Sequence, residues 1–450
     1  MPEGFSAGDT AFVLVCAMLV MLMTPGLAFF YGGMVRAKST LNMLMMSFIS
    51  LGVVSVLWIL FGYSLAFGPD VSGVIGNLDF VGMRNIEMDG LLDGYTIPVF
   101  AFVAFQLMFA ILTPALISGA VADRFKFSAW VVFIALWVTI VYFPVAHWVW
   151  GGGWIFDIPV IDFAGGTAVH INAGVAALAL VLVVGKRIGF KREAMRPHSL
   201  PLVMLGAGLL WFGWFGFNAG SGLAANGLSS VVLLNTNVAA AAAVLGWLVL
   251  ERIRDGHFTS LGAASGAVAG LVAITPACSV VSPLGAIAIG LIAGVACAWA
   301  VGLKYRLGYD DSLDVVGVHL VGGIIGSLLI GLFATGTYGT EDQGLFYGGG
   351  LELLGRQAIG VAAVAVYSFV VTYVIALVLR STIGIRASED DERTGLDQVA
   401  HAETAYDFTG GAGVLSRSAS PAATATGKPG RTDDADGGRS GHTAEAKVEA

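Results

Sequence analysis

Two histidines are the residues in this chain best suited to chemistry. His170 and His319 both lie in apolar stretches. Each has an Asp eight residues before it (Asp162, Asp311) and a Gly four residues after it (Gly174, Gly323). A neutral imidazole can accept and donate a hydrogen bond and can hand on a proton. Ionisable side chains inside membrane-crossing segments are rare and face a bundle interior or a cavity. The plainer reading, that each ring only packs and bonds a neighbouring helix, loses ground when two histidines share one surrounding pattern. Asp162 falls at a helix start, where a carboxylate caps free N–H groups and complements the helix dipole. Structural support is its expected role, with a bias toward cations second. Asp311 is expected on the opposite, inner side.

Aromatic residues give a second signal. Phe105 and Phe109 are spaced for one helix face. A later stretch runs from Trp211 through Trp214 and Phe217 to Ser221, and His147–Trp154 holds three Trp around a Gly run. Interfacial Trp and Phe commonly form an anchoring belt. Here glycine beside the rings would let them close around a cation, for which Trp is the best π partner. A mouth without an acidic cage would hold a small cation weakly, which suits passage more than storage.

The elements that must position these groups follow from composition. Of 450 residues, 56% are hydrophobic and only 12% charged, about half the charged share of a soluble domain. Eleven apolar spans are expected, at 10–32, 42–67, 97–121, 127–148, 165–185, 199–219, 231–250, 259–277, 283–303, 315–334 and 357–380. Basic residues alternate with them. One set of loops holds Arg36 and Lys38; Arg124 and Lys126; Lys186, Arg187, Lys191, Arg192 and Arg196; Arg252 and Arg254; Lys304 and Arg306. The other set holds only Arg84 and Arg356. By the positive-inside rule the N-terminus is outside and the C-terminus inside. The start, Met1-Pro2-Glu3-Gly4, lacks the basic n-region of a signal peptide, so the first span is expected to remain a helix. Cys16, Cys278 and Cys297 form neither a disulfide framework nor a metal spacing. The net charge of -8 comes mostly from loops and tail and indicates no partner.

The His pattern belongs to a wider repeat. Thr113-Pro114-Ala115 in span 3 returns as Thr275-Pro276-Ala277 in span 8, five spans on, as do the two His motifs in spans 5 and 10. An odd number of spans inverts the second copy, and inverted repeats place transporter sites near the midplane at the repeat interface. The fold expected is an all-α membrane protein of eleven transmembrane helices with a five-plus-five inverted repeat. Past residue 386 the chain turns polar from Glu389, and 410–450 is too poor in apolar residues to fold alone. The division expected is 1–386 membrane domain, 387–409 cytoplasmic segment and 410–450 disordered tail.

Several ordered strings now resemble the ammonium transporter family (Amt/Mep/Rh), on its bacterial Amt branch, over roughly residues 8–408. They are Thr24 through Gly33, Gly62 through Gly68, Asp162 through His170, and Trp211 through Ser221. The resemblance implies a cell-membrane homotrimer with one pore per subunit, no cofactor and no enzymatic activity. It implies a substrate-binding site for ammonium at Phe105, Trp150 and Ser221, and a gate of stacked Phe109 and Phe217. It implies a pore lined by His170, His319 and Trp214, with Asp162 as structural support. The tail residues Gly395, Leu396, Asp397 and Tyr406 match a cytoplasmic regulatory segment. There the family usually has Gly where this chain has Ala402, and a cytoplasmic P-II signalling protein is the implied regulator. Methylammonium is a second substrate the pore should tolerate; nucleic acid is not an expected partner. Three other readings stand beside this one. A gas or water channel fits poorly with an aromatic outer site. A sensor usually carries an added signalling domain. A membrane enzyme using both His as metal ligands lacks a third ligand or nucleophile nearby.

Overall fold

A segment in lipid has no water to satisfy its backbone, so the N–H and C=O groups must bond within the segment. This chain does so with helices. The computed structural model describes residues 2–406. The expected disordered segment 410–450 lies outside the described residues, as do residues 407–409. Ten helices in the described part are long and apolar enough to cross a membrane. They are α1 (Ala7–Met34), α2 (Ala37–Phe67), α3 (Val99–Val121), α4 (Phe127–Asp157), α5 (Gly166–Val184), α6 (Leu200–Gly220), α7 (Gly227–Asp255), α9 (Pro283–Leu307), α10 (Val316–Phe333) and α11 (Glu352–Thr382). Between α7 and α9 lies α8 (Ser260–Ile274), apolar but only 15 residues long. A two-stranded ribbon, β1 (Asp70–Val71) against β2 (Ile75–Gly76), follows α2. Two short helices, α12 (Glu389–Thr394) and α13 (Leu396–His401), follow α11.

Side-chain caps set several starts. Ser6, Ser199, Asn226, Thr259 and Ser282 each accept a hydrogen bond from the backbone N–H three residues on, the usual way to satisfy an orphan donor. The two Thr-Pro-Ala strings fare differently. Pro114 sits inside α3, which continues to Ser118 before a final tight turn. Pro276 has no N–H to continue the ladder. There α8 ends, and residues 275–280 run on as turns closed by Thr275 N–H to Val272 O and Ala277 N–H to Ile274 O. Span 8, expected over 259–277, is therefore a shorter helix with a non-helical end.

Small residues let helices cross closely. At Gly290 and Gly294 of α9 an added Cβ would stand 2.2 Å from the carbonyl oxygens of Ala239 and Ala243 on α7. Among the described residues four stretches are π-helical: Trp58–Gly62, Val138–Tyr142, Gly166–Ile171 and Val316–Leu320. The last two contain the paired histidines. Such segments frequently mark functional sites.

The basic loops converge at one end of the bundle. Arg187 bonds Asp310 (Nη2 to Oδ1, 2.8 Å) and approaches Asp123 (3.6 Å), and Arg36 meets the same Asp123 at 3.1 Å. The segment after α11 docks there. The four acidic residues that open the polar tail form the first turn of α12, capped by Ser388. Glu392, buried, pairs with Arg386 at 3.0 Å and accepts from the Ile188 N–H at 2.7 Å. Asp397 accepts from the Asn42 N–H at the start of α2, at 2.8 Å. Gly395 (φ 115°) lies so close to Lys38 that a Cβ would stand 2.6 Å from that residue's Cβ and carbonyl oxygen. Leu396 is buried, Tyr406 meets His198 Nε2 at 2.8 Å through its hydroxyl, and Ala402 is left-handed at φ 55°.

Candidate substrate path

At the far end from the basic loops, a cavity of about 400 Å³ opens between α2, α3, α4 and α6. Its wall includes Tyr63, Phe102, Gln106, Phe109, Trp150 and Ser221. Phe102, Gln106 and Phe109 are spaced four and three residues apart, which puts them on one stripe of α3. Phe105, buried, makes an edge contact with Phe109 (centroids 5.0 Å) and lies beside Gly220. Asp93 also lines this cavity, placing a carboxylate at a mouth where the sequence suggested none.

Asp162 organises the wall. Its carboxylate accepts from the N–H groups of Gly165, Gly166, Thr167 and Ala168 at 2.5–3.1 Å, and from the Thr167 hydroxyl. Four donors are thereby gathered at the non-regular start of α5, where Gly165 adopts φ 115°. The Asp162 carbonyl accepts the indole N–H of Trp150 at 2.9 Å. With that N–H engaged, the π face of Trp150 is the part left for a ligand. The Ser221 hydroxyl donates to Phe217 O at 2.9 Å, so its lone pairs remain free to accept.

From this mouth a file of rings leads inward. Phe109 meets Trp150 edge-on at 6.1 Å and lies over Phe217 at 4.2 Å with the rings tilted by 30°. Phe217 then overlies His170 at 6.0 Å, and His170 stacks on Trp214 at 5.3 Å. Trp214 is fixed by its indole N–H, which donates to Thr275 Oγ1 at 2.8 Å. His170 and His319 face each other with Nδ1 atoms 3.3 Å apart. Only one hydrogen fits between the two nitrogens, so one ring donates and the other accepts. Both rings are buried, and Nε2 of His170 has no protein partner.

A reciprocal helix crossing brings the rings together. At Gly174 of α5 a Cβ would stand 2.4 Å from Leu320 N; at Gly323 of α10 it would stand 2.9 Å from Ile171 Cγ1. Ile171 and Leu320 are the residues directly after the two histidines. Thus each glycine, four residues past one His, receives the neighbour of the other. At the basic end a second cavity of about 590 Å³ is lined by Arg187, Lys191, Lys304, Ser312 and Asp314 among others. Nearby, Asp311 accepts from the Val315 and Val316 N–H groups at 3.1 and 2.8 Å, as Asp162 does for α5 but with fewer bonds.

Sequence reading missed Gln106 and Thr275. The spacing of Gln106 from Phe109 held the signal for the first. Nothing in the sequence marked Thr275 as the partner of Trp214.

A bundle of apolar membrane-length helices around a file of rings and a buried imidazole pair defines a multi-pass membrane transport protein. The chain belongs to the ammonium transporter family, whose model matches residues 11–406. It is 57% identical over 445 residues to the ammonium transporter of Mycobacterium tuberculosis, covering 92% of each chain. To that of Bacillus subtilis it is 49% identical over 401 residues, covering 89% of this chain and 98% of the relative. Among solved structures, Saccharomyces cerevisiae Mep2 superposes with a TM-score of 0.80 at 36% identity, over 86% of this chain and 91% of that one. A structure titled "Sensor Amt Protein" gives 0.81 at 31% identity, over 88% and 98%. The protein is a cell-membrane ammonium transporter and not an enzyme.

Proposed function

We propose that ammonium is recruited at the far-end cavity by the Trp150 face, the Ser221 hydroxyl and the neighbouring Phe105 ring, and gives up its proton there, either to the outer solution or to separate transfer along the histidine pair. Ammonia then crosses between Phe109 and Phe217 and travels along His170, Trp214 and His319. The observation that carries this reading is the unbroken ring file ending in the Nδ1–Nδ1 contact. A bare ion in such a lining would pay a large desolvation cost. Ammonium escapes that cost by deprotonating, which potassium cannot do.

In this reading the eleven helices all span, α8 included, with the far end outside and the basic end in the cytoplasm. Convergence of the basic loops supports that orientation. The matched π-helical histidine segments and the reciprocal glycine crossing support a five-plus-five inverted repeat. Residues 1–386 form the membrane domain. Residues 387–409 form a regulatory segment, anchored through Gly395, Leu396, Asp397 and Tyr406. The assembly is a homotrimer and a P-II signalling protein its cytoplasmic partner.

An ammonium pulse on proteoliposomes tests the path. His170→Ala or His319→Ala should change ammonium-over-potassium selectivity; unchanged flux and selectivity in both refutes the role given to the rings. In the parent protein, current denotes net charge movement, and alkalinisation without current denotes ammonia alone.

A further inference from the structure

Resting on the reading of the outer cavity as the ammonium site, we propose that Gln106 is a further substrate ligand, with its carboxamide oxygen accepting a hydrogen bond from ammonium. Ammonium is tetrahedral and offers four N–H donors. The residues assigned to the site so far present few acceptors. Trp150 offers only a π face, since its N–H is bound to Asp162 O. Ser221 offers the lone pairs of one hydroxyl, whose hydrogen is held by Phe217 O. An ion held by these two alone would leave donors unpaired in a partly apolar pocket, and each unpaired donor weakens binding.

Gln106 supplies a further acceptor, on the same wall as Trp150 and Ser221, while the Asp93 carboxylate lines the cavity from the loop before α3. It shares the cavity wall with Trp150 and Ser221, one helical step from the gate residue Phe109. Its Oε1 is buried and has no hydrogen-bond partner in the protein. A carboxamide oxygen carries two lone pairs, and leaving it buried and unpaired is costly unless something donates to it. The hydroxyl residues of the same wall, Tyr63, Tyr95 and Ser221, make no hydrogen bond to it. Other buried oxygens without partners, such as Asn235 Oδ1 and Ser327 Oγ, sit on α7 and α10, away from this cavity wall. A donor-rich cation in the cavity satisfies the Gln106 oxygen, and the oxygen in turn favours an ion that can donate.

The test compares half-saturation concentrations for ammonium entry into proteoliposomes holding the full chain. Gln106→Met keeps length and flexibility and removes the acceptor. Gln106→Glu restores it, and Gln106→Leu is a second apolar variant in case Met fails to fold. Trp150→Leu and Ser221→Ala report on the site itself. We expect Gln106→Met to raise the half-saturation concentration about tenfold with the maximal rate largely kept, as for one lost hydrogen bond to a charged group. Gln106→Glu should return it to the parent value or below. An unchanged value in Gln106→Met, with Trp150→Leu and Ser221→Ala both impaired, overturns the role of Gln106 and leaves the site standing. Equal impairment in Met and Glu also overturns it, because shape alone would then be at work. No change in any of these variants removes the outer-site reading together with this inference.

Discussion

Replacing Gly174 by Ala tests whether the helix crossing sets the geometry of the histidine pair. The added Cβ would stand 2.4 Å from Leu320 N and 2.7 Å from its Cα. Both are backbone atoms and cannot turn aside as a side chain could. Ordinary contact needs about 3.4 Å or more, so α5 and α10 must part by about 1 Å. The histidine nitrogens now stand 3.3 Å apart, already near the limit for a hydrogen bond. A further 1 Å breaks the contact. Overpacking of this kind costs about 1–3 kcal/mol. The change at the matching glycine is milder, because at Gly323 the nearest atom is the Ile171 Cγ1 at 2.9 Å, with Gly166 O at 3.0 Å. We therefore expect Gly174→Ala to lower the initial rate of ammonium entry by roughly tenfold (about 1.4 kcal/mol) and to weaken selectivity over potassium. Gly323→Ala should do less. Proteoliposome flux measures the effect, with thermal melting in detergent as the control for folding. A folded Gly174→Ala protein with parental flux and selectivity refutes the reasoning, and so does a reversed ranking of the two variants.

Asp162→Asn exchanges one acceptor oxygen for an amide that faces N–H donors. It should lower stability by about 3 kcal/mol and abolish transport; an unchanged melting temperature excludes the organising role. Asp397→Ala removes an acceptor for the first turn of α2, a loss of about 1 kcal/mol, whereas Ala402→Gly relieves a left-handed residue by a similar amount. Limited proteolysis of the segment after α11 should speed up in the first and slow in the second; shifts of the same sign count against both. His147 bonds Asp70 through Nε2 at 2.9 Å and Ala66 O through Nδ1 at 3.0 Å, joining the β1–β2 ribbon to the helix that carries Trp150. The His147 hydrogen bond holds the Asp70 carboxyl below its ordinary 3.8. Its folded value is lowered, so this stabilisation is complete above 3.8 and fades only as pH falls through the lowered value. Asp70→Ala should speed hydrogen exchange of residues 69–77 above pH 3.8, and the parent protein should approach that faster rate, after correction for intrinsic rates, as pH falls through the lowered carboxyl value. Equal exchange in the two proteins above pH 3.8 contradicts the pairing.

The helices and the histidine pairing were legible because both leave periodic or repeated marks. Lipid demands long apolar runs, and charge alternation counts them independently. The matched Asp–His–Gly strings identified the rings. They also held the glycines that let α5 and α10 approach, although it takes the packed fold to bring each against the residue beyond the opposite His. Other features left no such mark. The π-helical turns at both histidines depend on how each segment packs. Phe105 and Phe109 share a helical spacing, yet the cavity wall runs through Phe102, Gln106 and Phe109 because α3 is turned slightly from that face. Pro114 and Pro276 sit in identical tripeptides, and only tertiary context decides that one stays in a helix while the other ends it. The acidic run 389–392 reads as solvent-facing charge by composition. In the fold Glu392 is buried, because Arg386 and Ile188 supply its partners.

The single hydrogen shared by His170 and His319 gives the pair a polarity. One ring donates through Nδ1 and keeps a bare Nε2; the other accepts and carries its hydrogen on Nε2. A proton that enters at the bare Nε2 pushes the shared hydrogen across and releases one from the far ring. The pair is then left with the opposite polarity, and its entry nitrogen is already occupied. A second proton cannot follow in the same direction until both rings have exchanged tautomers. A neutral guest moving past the rings imposes no such reset. In the proposed path the dyad is thus a turnstile for charge, one passage per reset, whereas ammonia needs no reset.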